Sequence, residues 1–332
     1  MKEIGGYFEL EITKCDHNSG IPQGILVNSG RHALEFILRS LGKDVKKVYL
    51  PYYTCDVVLE PIRRLNLDYD YYYIDRNLEI AEPRRLEAGE YIILNNYFGI
   101  KDRYISEMVK VYGERLIVDN CQAWYAKPEN GANFIYSPRK FFGLPDGGVV
   151  AGLSCNDVVL PDGFSAGRCS HLLKRIDSGA FSGYMDFKAN SKQLKDEPLT
   201  RMSHLTECLL NQIDFEKAKS RRRRNYEILH SRLSAINGLH LPPLTDFECP
   251  MVYPYLTEKR DLRRFLIENK VFVATYWPDV SEKSGVGELE NSLTQDLLPL
   301  PIDQRYGEKE MNFIVNLILN AKNLDGSIMI KE

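Results

Sequence analysis

The first half of the chain alternates short apolar segments with amphipathic ones, and this order restricts the fold more than any other feature. Apolar segments at 91–95 and 115–119 flank a segment of helical periodicity at 102–112, and a similar pair precedes them at 47–50 and 56–65. Strands that alternate with helices form βαβ units and a mainly parallel sheet flanked by helices. The sequence therefore predicts an α/β fold with such a sheet at its centre.

Polar and aromatic residues follow three of the predicted strands. They are Pro51-Tyr52-Tyr53, Asn95-Asn96-Tyr97 and Asp119-Asn120. Open parallel sheets bind ligands at the carboxyl ends of their strands. We therefore expect the functional site at this edge of the sheet.

The pattern changes after about residue 200. A long helical region is predicted at 203–237, and beyond it strand-like segments at 251–256 and 270–275 alternate with helical ones at 258–268 and 308–320. This change indicates a smaller α+β domain after the α/β one. The predicted organisation is an N-terminal segment at 1–24 that packs with the small domain, a large domain at 25–225 and a small C-terminal domain at 226–332.

Charge and composition exclude several classes of protein. The 43 Lys and Arg residues against 46 Asp and Glu residues give a net charge of −3, which offers no basic surface for nucleic acid. The chain shows no secretory signal and no apolar run of membrane-spanning length, so we expect a cytoplasmic protein with no membrane partner. Its seven cysteines are scattered and its histidines lack ligand spacing, so we expect free thiols and no metal.

Lys140 and Asp119 are the candidate catalytic residues. Lys140 follows the apolar run at 134–136, and burial would disfavour its ammonium form and make the amine nucleophilic, as a Schiff-base lysine requires. Asp119 ends the strand at 115–119. A Schiff-base cofactor also needs a carboxylate for its ring nitrogen and an anion site for its phosphate.

The segment that begins at Ser29 is the candidate phosphate site. Ser29 is a suitable N-cap, apolar residues then recur at helical spacing, and Gly42 is a suitable stop. The backbone N–H groups of Gly30, Arg31 and His32 would lie at the start of this helix, where anions bind.

Six segments of the chain match a known family in order. They are Ser29-Gly30-Arg31-His32-Ala33-Leu34, Pro51-Tyr52-Tyr53-Thr54-Cys55, Asn96-Tyr97-Phe98-Gly99, Val118-Asp119-Asn120-Cys121-Gln122-Ala123, Tyr136-Ser137-Pro138-Arg139-Lys140 with Asp146-Gly147-Gly148, and Leu300-Pro301-Ile302-Asp303-Gln304-Arg305-Tyr306. With these segments the sequence resembles the DegT/DnrJ/EryC1/StrS family of pyridoxal-phosphate-dependent sugar aminotransferases, which have fold type I.

The resemblance implies a role for each matching residue. Lys140 would hold pyridoxal 5'-phosphate as a Schiff base and later move the substrate proton, while Asp119 would pair with the pyridinium nitrogen. Gln122 would contact the cofactor ring or its phenolic oxygen. The phosphate would be bound at Gly30, Arg31 and His32.

Three positions depart from the family's pattern. Ile135 stands where the family has a phosphate-binding serine, so Ser137 or the Arg31 side chain is the candidate substitute. Cys55 stands where the family has the aromatic residue that stacks on the cofactor, which leaves Tyr53, Tyr97 or Trp124 as candidates. Leu199 stands where the family has an asparagine that the partner subunit lends to the site.

The resemblance predicts an aminotransferase that acts as a homodimer. It would move an amino group from an amino acid, with glutamate as the expected donor, to a keto-sugar nucleotide or a similar ketone. Two alternatives remain open. One is elimination or decarboxylation with the same cofactor, and the other is a catalytically silent member of the fold with a binding or regulatory role.

Overall fold

The computed structural model describes residues 7–12, 19–152 and 159–324. Its strands are β1 (Ile25–Val27), β2 (Lys47–Pro51), β3 (Asp68–Tyr72), β4 (Glu90–Asn95), β5 (Leu116–Asp119), β6 (Asn133–Tyr136), β7 (Gly148–Ala151), β8 (Val252–Leu256) and β9 (Leu297–Pro301). Its α-helices are α1 (Gly30–Leu41), α2 (Leu59–Arg64), α3 (Asp102–Tyr112), α4 (Ser170–Ser178), α5 (Tyr184–Asp196), α6 (His204–Asn211), α7 (Phe215–Leu233), α8 (Asp261–Glu268), α9 (Glu288–Asp296) and α10 (Glu308–Leu324).

A seven-stranded sheet forms the centre of the molecule. Its strand order is β1-β7-β6-β5-β4-β2-β3, and the pairs from β3 through β6 are all parallel, whereas β7 runs antiparallel to both of its neighbours. The prediction of a mainly parallel α/β sheet is confirmed. The register sets Asn95 of β4 opposite Asp119 of β5, and Asp119 opposite Ile135 of β6, so these three strand ends meet at one edge.

Both faces of the sheet are covered at its centre, which explains why β6 and β7 are buried along their whole length. Successive side chains of a strand point to opposite faces. In β4, Ile93 packs in the cluster that contains the apolar face of α1, whereas Ile92 and Leu94 pack in the larger cluster that contains the C-terminal elements. The sheet is therefore a middle layer between two hydrophobic cores.

The C-terminal part of the chain contains an antiparallel pair, β8 with β9. The strand that the sequence predicts at 270–275 is wrong: Val271 and Val273 are buried and Phe272 is exposed, but no ladder forms there. The alternation arises because every second side chain of an irregular segment reaches the core. The strand that pairs with β8 is β9. It contains two prolines, which are uncommon inside strands, so its sequence does not indicate a strand.

The long helical region predicted at 203–237 consists of two helices, α6 and α7. Asp214 caps α7 by accepting a hydrogen bond from the backbone N–H of Lys217. Helix α7 runs across residue 225. The domain boundary proposed at that residue stays a prediction. The predicted thiols Cys15 and Cys155 and part of the 1–24 segment lie outside the described residues.

Within the described ranges, no helix combines the length and the apolar character that crossing a membrane requires. No group of three or more His, Cys, Asp or Glu side chains is arranged to hold a metal ion in the same ranges. Five cysteines of this part of the chain are free thiols: Cys55, Cys121, Cys169, Cys208 and Cys249.

The start of helix α1 is held by the turn that precedes β7. The backbone N–H of Gly147 donates to the carbonyl of Asn28 at 2.8 Å, and Ser29 and Gly147 form a parallel β-bridge. A Cβ atom at Gly148 would lie 2.3 Å from the carbonyl oxygen of Ser29. The two glycines thus allow a backbone approach that a side chain would prevent.

This approach predicts a large effect of one methyl group. Gly148→Ala should lower the free energy of unfolding by about 1–3 kcal/mol, because the new methyl overlaps backbone atoms that cannot turn away. Gly167→Ala is the matched control, since a Cβ there meets nothing within 4 Å. Urea unfolding of both variants measures the difference, and equal stabilities would show that the contact has no energetic role.

Candidate functional site

A cavity of about 150 Å³ lies where the N-terminus of α1 meets the carboxyl ends of β5 and β6. A closed protein cavity of about this volume holds a benzene ring. The residues that line it are Ser29, Gly30, Arg31, Leu34, Cys55, Val57, Val58, Asp119, Cys121, Ile135, Ser137, Arg139 and Lys140. Five of the nine residues proposed from the sequence are among them: Gly30, Arg31, Asp119, Ser137 and Lys140.

Lys140 ends a short 3-10 helix, Pro138–Lys140, that follows β6. It lies deep in the fold, but its side chain is exposed to solvent through the cavity. Burial lowers the pKa of Lys140, whereas the negative charge of Asp119 raises it, and the net direction is upward. The expected fall of this pKa is therefore wrong for the protein without cofactor, because the amine shares a solvent-accessible cavity with a carboxylate.

Asp119 is the last residue of β5 and is partly buried. Its Oδ1 accepts a hydrogen bond of 2.8 Å from the backbone N–H of Cys121, which fixes the orientation of the carboxylate. Its own main chain is held on both sides, by pairing with β4 and with β6. The carboxylate is therefore a rigid feature of the cavity wall.

The start of α1 forms another part of the wall. Ser29 is the N-cap residue, and its side chain accepts from the backbone N–H of His32. Gly30 lies so close to β5 that a Cβ atom would be 2.8 Å from Sγ of Cys121. The first N–H groups of a helix have no carbonyl partner inside the helix, so this end of α1 can bind an anion. The Arg31 guanidinium forms an ion pair with Glu60.

Two thiols, Cys55 and Cys121, face the cavity. Burial raises the pKa of both, so they are neutral thiols at physiological pH. Together with Leu34, Val57 and Ile135 they give the cavity an apolar wall. Such a wall suits the face of a flat ring.

The side chains of His32 and Gln122 do not line the cavity. The His32 ring is buried: its Nε2 donates to the carbonyl of Glu197 at 2.9 Å, and its Nδ1 accepts from the Ser29 hydroxyl at 2.8 Å. Oε1 of Gln122 accepts from the backbone N–H of Phe98 at 3.0 Å. Both residues thus hold the backbone around the cavity, and their proposed contacts with a cofactor stay predictions.

The aromatic residues proposed to stack on a cofactor also pack elsewhere. Tyr53 lies edge-on to Trp277 at 4.6 Å, and the Tyr97 hydroxyl donates to the Tyr53 carbonyl at 2.6 Å. Trp124 stacks on Phe215. Among the described residues that form the cavity wall, none is aromatic.

Lys283 is a residue that the sequence analysis missed. Its Nζ donates to the carbonyls of Tyr52 at 3.0 Å and Thr54 at 3.4 Å, and it lies 3.2 Å from the carboxylate of Asp56. This lysine, which belongs to the C-terminal part of the chain, therefore fixes the loop that carries Cys55 into the cavity. A lone lysine far away in the sequence carries no signal of such a contact.

Arg139 was also missed, because an adjacent Arg-Lys pair is more often on the surface. The structure places it in the cavity wall beside Lys140. Burial, together with Arg31 and Arg168, lowers its pKa to about 10 although Asp146 raises it. Two further arginines lie elsewhere: Arg305 pairs with Asp303 at 2.7 Å, and Arg201 is exposed.

No protein-family model matches the chain, and no curated protein matches it in sequence. Solved structures do match. A DegT DnrJ EryC1 StrS aminotransferase from Brucella abortus is 17% identical with a TM-score of 0.62, and the match covers 91% of this chain and 86% of that one. The chain has fold type I.

Two further structures show the same likeness to this fold type I chain. DesV from S. venezuelae, solved in complex with a ketimine intermediate, is 16% identical with a TM-score of 0.61 and coverage of 90% and 84%. Helicobacter pylori PseC, an aminotransferase involved in the biosynthesis of pseudoaminic acid, is 12% identical with a TM-score of 0.62 and coverage of 91% and 87%. At these identities the likeness shows the fold.

The burial of His32 predicts a pH dependence of stability. Burial lowers the pKa of His32 below its ordinary value of 6.5, because the charged imidazolium would lose its solvation there, and the cations Arg31 and Arg64 lower it further. The unfolded chain therefore binds a proton at a pH where the folded protein does not. Stability should fall as pH drops below about 6.5, by at most about 1.4 kcal/mol per pH unit for this group.

The contribution of His32 can be isolated by substitution. Urea unfolding at pH 7.5 and pH 5.0 should show a smaller loss of stability for His32→Gln than for the wild-type protein. An identical loss in both proteins would assign the effect to other groups, such as His171 and His230, whose pKa values burial also lowers.

Proposed function

We propose that this protein is a pyridoxal-phosphate-dependent aminotransferase acting in the cytoplasm. One observation carries the proposal: Lys140, Asp119 and the N-terminus of α1 line the same cavity. An amine, a carboxylate and an anion site are the three groups that bind the aldehyde, the ring nitrogen and the phosphate of this cofactor. The fold shared with solved aminotransferases supports it.

The cavity suits the cofactor in size and chemistry. Its apolar wall, which includes Val57 and Ile135, offers a surface to a six-membered ring, and its volume is enough for one. The buried Nε of Arg139 has no hydrogen-bond partner among the described residues, so the cavity also has unused capacity for an anion.

The residues of the chain would divide the reaction between them. When bound, the cofactor supplies an electron sink for the carbon that loses its proton. The Lys140 amine, once released from the cofactor, would take a proton from the substrate carbon and return it to the neighbouring carbon. The Asp119 carboxylate, held by the N–H of Cys121, would keep a proton on the ring nitrogen.

We propose that the donor of the amino group is an amino acid, with glutamate expected. We propose a keto-sugar nucleotide or a similar ketone as the acceptor. The support comes from the structural neighbours, which include sugar aminotransferases such as CalS13 from Micromonospora echinospora. The free thiols among the described residues are in keeping with a cytoplasmic site of action.

Cofactor attachment tests the proposal. Purified protein given pyridoxal phosphate should absorb visible light, and borohydride should then fix the cofactor on Lys140, which peptide mass analysis locates. Lys140→Ala should lose both signals. Lys110→Ala, a change at an exposed lysine of α3, should keep them. If wild-type protein gives no absorbance, or if the label falls on another lysine, the proposal is wrong.

We also propose that two copies of the chain form the functional unit. Helices α4 and α5 and the loop between them expose a row of apolar side chains: Leu173, Ile176, Phe181, Tyr184, Met185 and Phe187. Apolar patches of this kind mark interaction sites. The patch belongs to helices that pack beside the segment after Lys140, because Nδ2 of Asn190 in α5 donates to the carbonyl of Pro145 at 2.8 Å. A second copy seated there would lie beside the proposed site.

Aspartate substitutions in this apolar patch should prevent the two copies from forming a dimer. The double variant Ile176→Asp/Phe181→Asp, at positions 81% and 91% exposed, should sediment as a monomer while the wild-type protein sediments as a dimer. Val111→Asp, at a 62% exposed position on α3, is the control and should remain dimeric. A double variant that stays dimeric would place the interface elsewhere.

A further inference from the structure

Arg139 is a partly buried arginine, and none of the described residues forms an ion pair with it. Its Nε is completely enclosed and has no hydrogen-bond partner among the described residues, and no carboxylate of these residues lies within ion-pair distance of it. Charged side chains in protein interiors are normally paired, because an isolated ion loses its solvation. An unpaired guanidinium in a cavity wall therefore points to an anion that comes from outside the chain.

The neighbouring arginines show why Arg139 differs. Arg31 is paired with Glu60, and Arg168 is paired with Asp146 at 3.0 Å and with Glu197 at 3.1 Å. Asp146 is the acid whose charge raises the pKa of Arg139. Its carboxylate is already engaged by Arg168, Ser203 and Thr206.

Arg139 stands beside other groups that bind anions. The cavity it lines also contains Ser29, Gly30 and Ser137, so a hydroxyl-bearing wall and the N-terminus of the twelve-residue helix α1 face the same space. Ile135, which lies in the same wall, offers no side-chain hydrogen bond. Arginine binds phosphate oxygens in two-pronged geometry.

We propose that Arg139 is the side chain that binds the cofactor's phosphate, in place of the hydroxyl that Ile135 lacks and instead of Arg31. This inference rests on the proposed function and adds to it the residue that neutralises the phosphate. It assigns Arg31 a different task, which is to tie α1 to α2 through Glu60.

The test compares ligands with and without a phosphate. Binding of pyridoxal phosphate, of pyridoxal and of inorganic phosphate to the cofactor-free protein is measured by calorimetry, for the wild-type protein and for Arg139→Met, Arg139→Lys and Arg224→Met. Arg224 is an exposed arginine of α7, so its variant loses the same charge away from the cavity.

The expected result is selective. Arg139→Met should weaken pyridoxal phosphate and inorganic phosphate by about 10- to 100-fold and leave pyridoxal unchanged, as the loss of a hydrogen-bonded ion pair predicts. Arg139→Lys should retain part of the affinity, and Arg224→Met all of it. Equal weakening of pyridoxal and pyridoxal phosphate would overturn the proposal, and so would no weakening of either.

Two further results distinguish binding of the cofactor's phosphate by Arg139 from a structural role and from binding of another anion. Removing an unpaired, partly buried charge should not lower the stability of the cofactor-free protein, so Arg139→Met should unfold at no lower urea concentration than wild type. A clear loss of stability would instead show a structural role for Arg139. Should the protein bind inorganic phosphate through Arg139 but not pyridoxal, the anion site would stand and the proposed cofactor would fall.

Discussion

The close approach of helix α1 to the ends of β5 and β7 is the contact on which the site depends. Gly30 lies against the sulfur of Cys121 and Gly148 lies against the carbonyl of Ser29, and a Cβ at either position would overlap these atoms. Because the two glycines leave this space, the N-terminus of a helix reaches the edge of the sheet where Asp119 ends its strand. Lys140, on the turn after β6, then faces both.

Charge inside this cavity is unevenly compensated. Asp119 offsets Lys140 in part, and Glu60 offsets Arg31, whereas Arg139 has no partner among the described residues. The cavity therefore carries excess positive charge at the end where α1 begins. A dianionic phosphate would balance it. The cofactor thus suits the cavity in two ways: its phosphate would be a counter-ion, and its ring would match the apolar wall.

The sequence predicted those parts of the fold that depend on local patterns. The strands that end at Asn95 and Asp119 and the helix capped by Ser29 are visible because burial on both sheet faces makes strands apolar and a cap needs one particular side chain. The strand at 270–275 failed because alternate burial does not require a partner strand. Strand β9 was missed because its pairing with β8 joins segments far apart in the chain.

The site was only partly predictable for a similar reason. Lys140 and Asp119 could be found because strand ends mark the ligand edge of a parallel sheet. The directions of side chains could not: Tyr53 and Gln122 turn into backbone and ring contacts, while Arg139 turns into the cavity. The contacts of Lys283 with the loop at 52–56 depend on how the C-terminal elements pack against that loop. No local sequence pattern indicates this packing.

The most direct test of the central claim is a single-turnover reaction with glutamate. Protein loaded with pyridoxal phosphate should lose its visible absorbance on mixing with glutamate and release one equivalent of 2-oxoglutarate per bound cofactor, and Asp119→Asn should do so at least about 100-fold more slowly. An absorbance that persists with a panel of amino acids, or that changes with release of carbon dioxide or ammonia and no oxo acid, would contradict an aminotransferase.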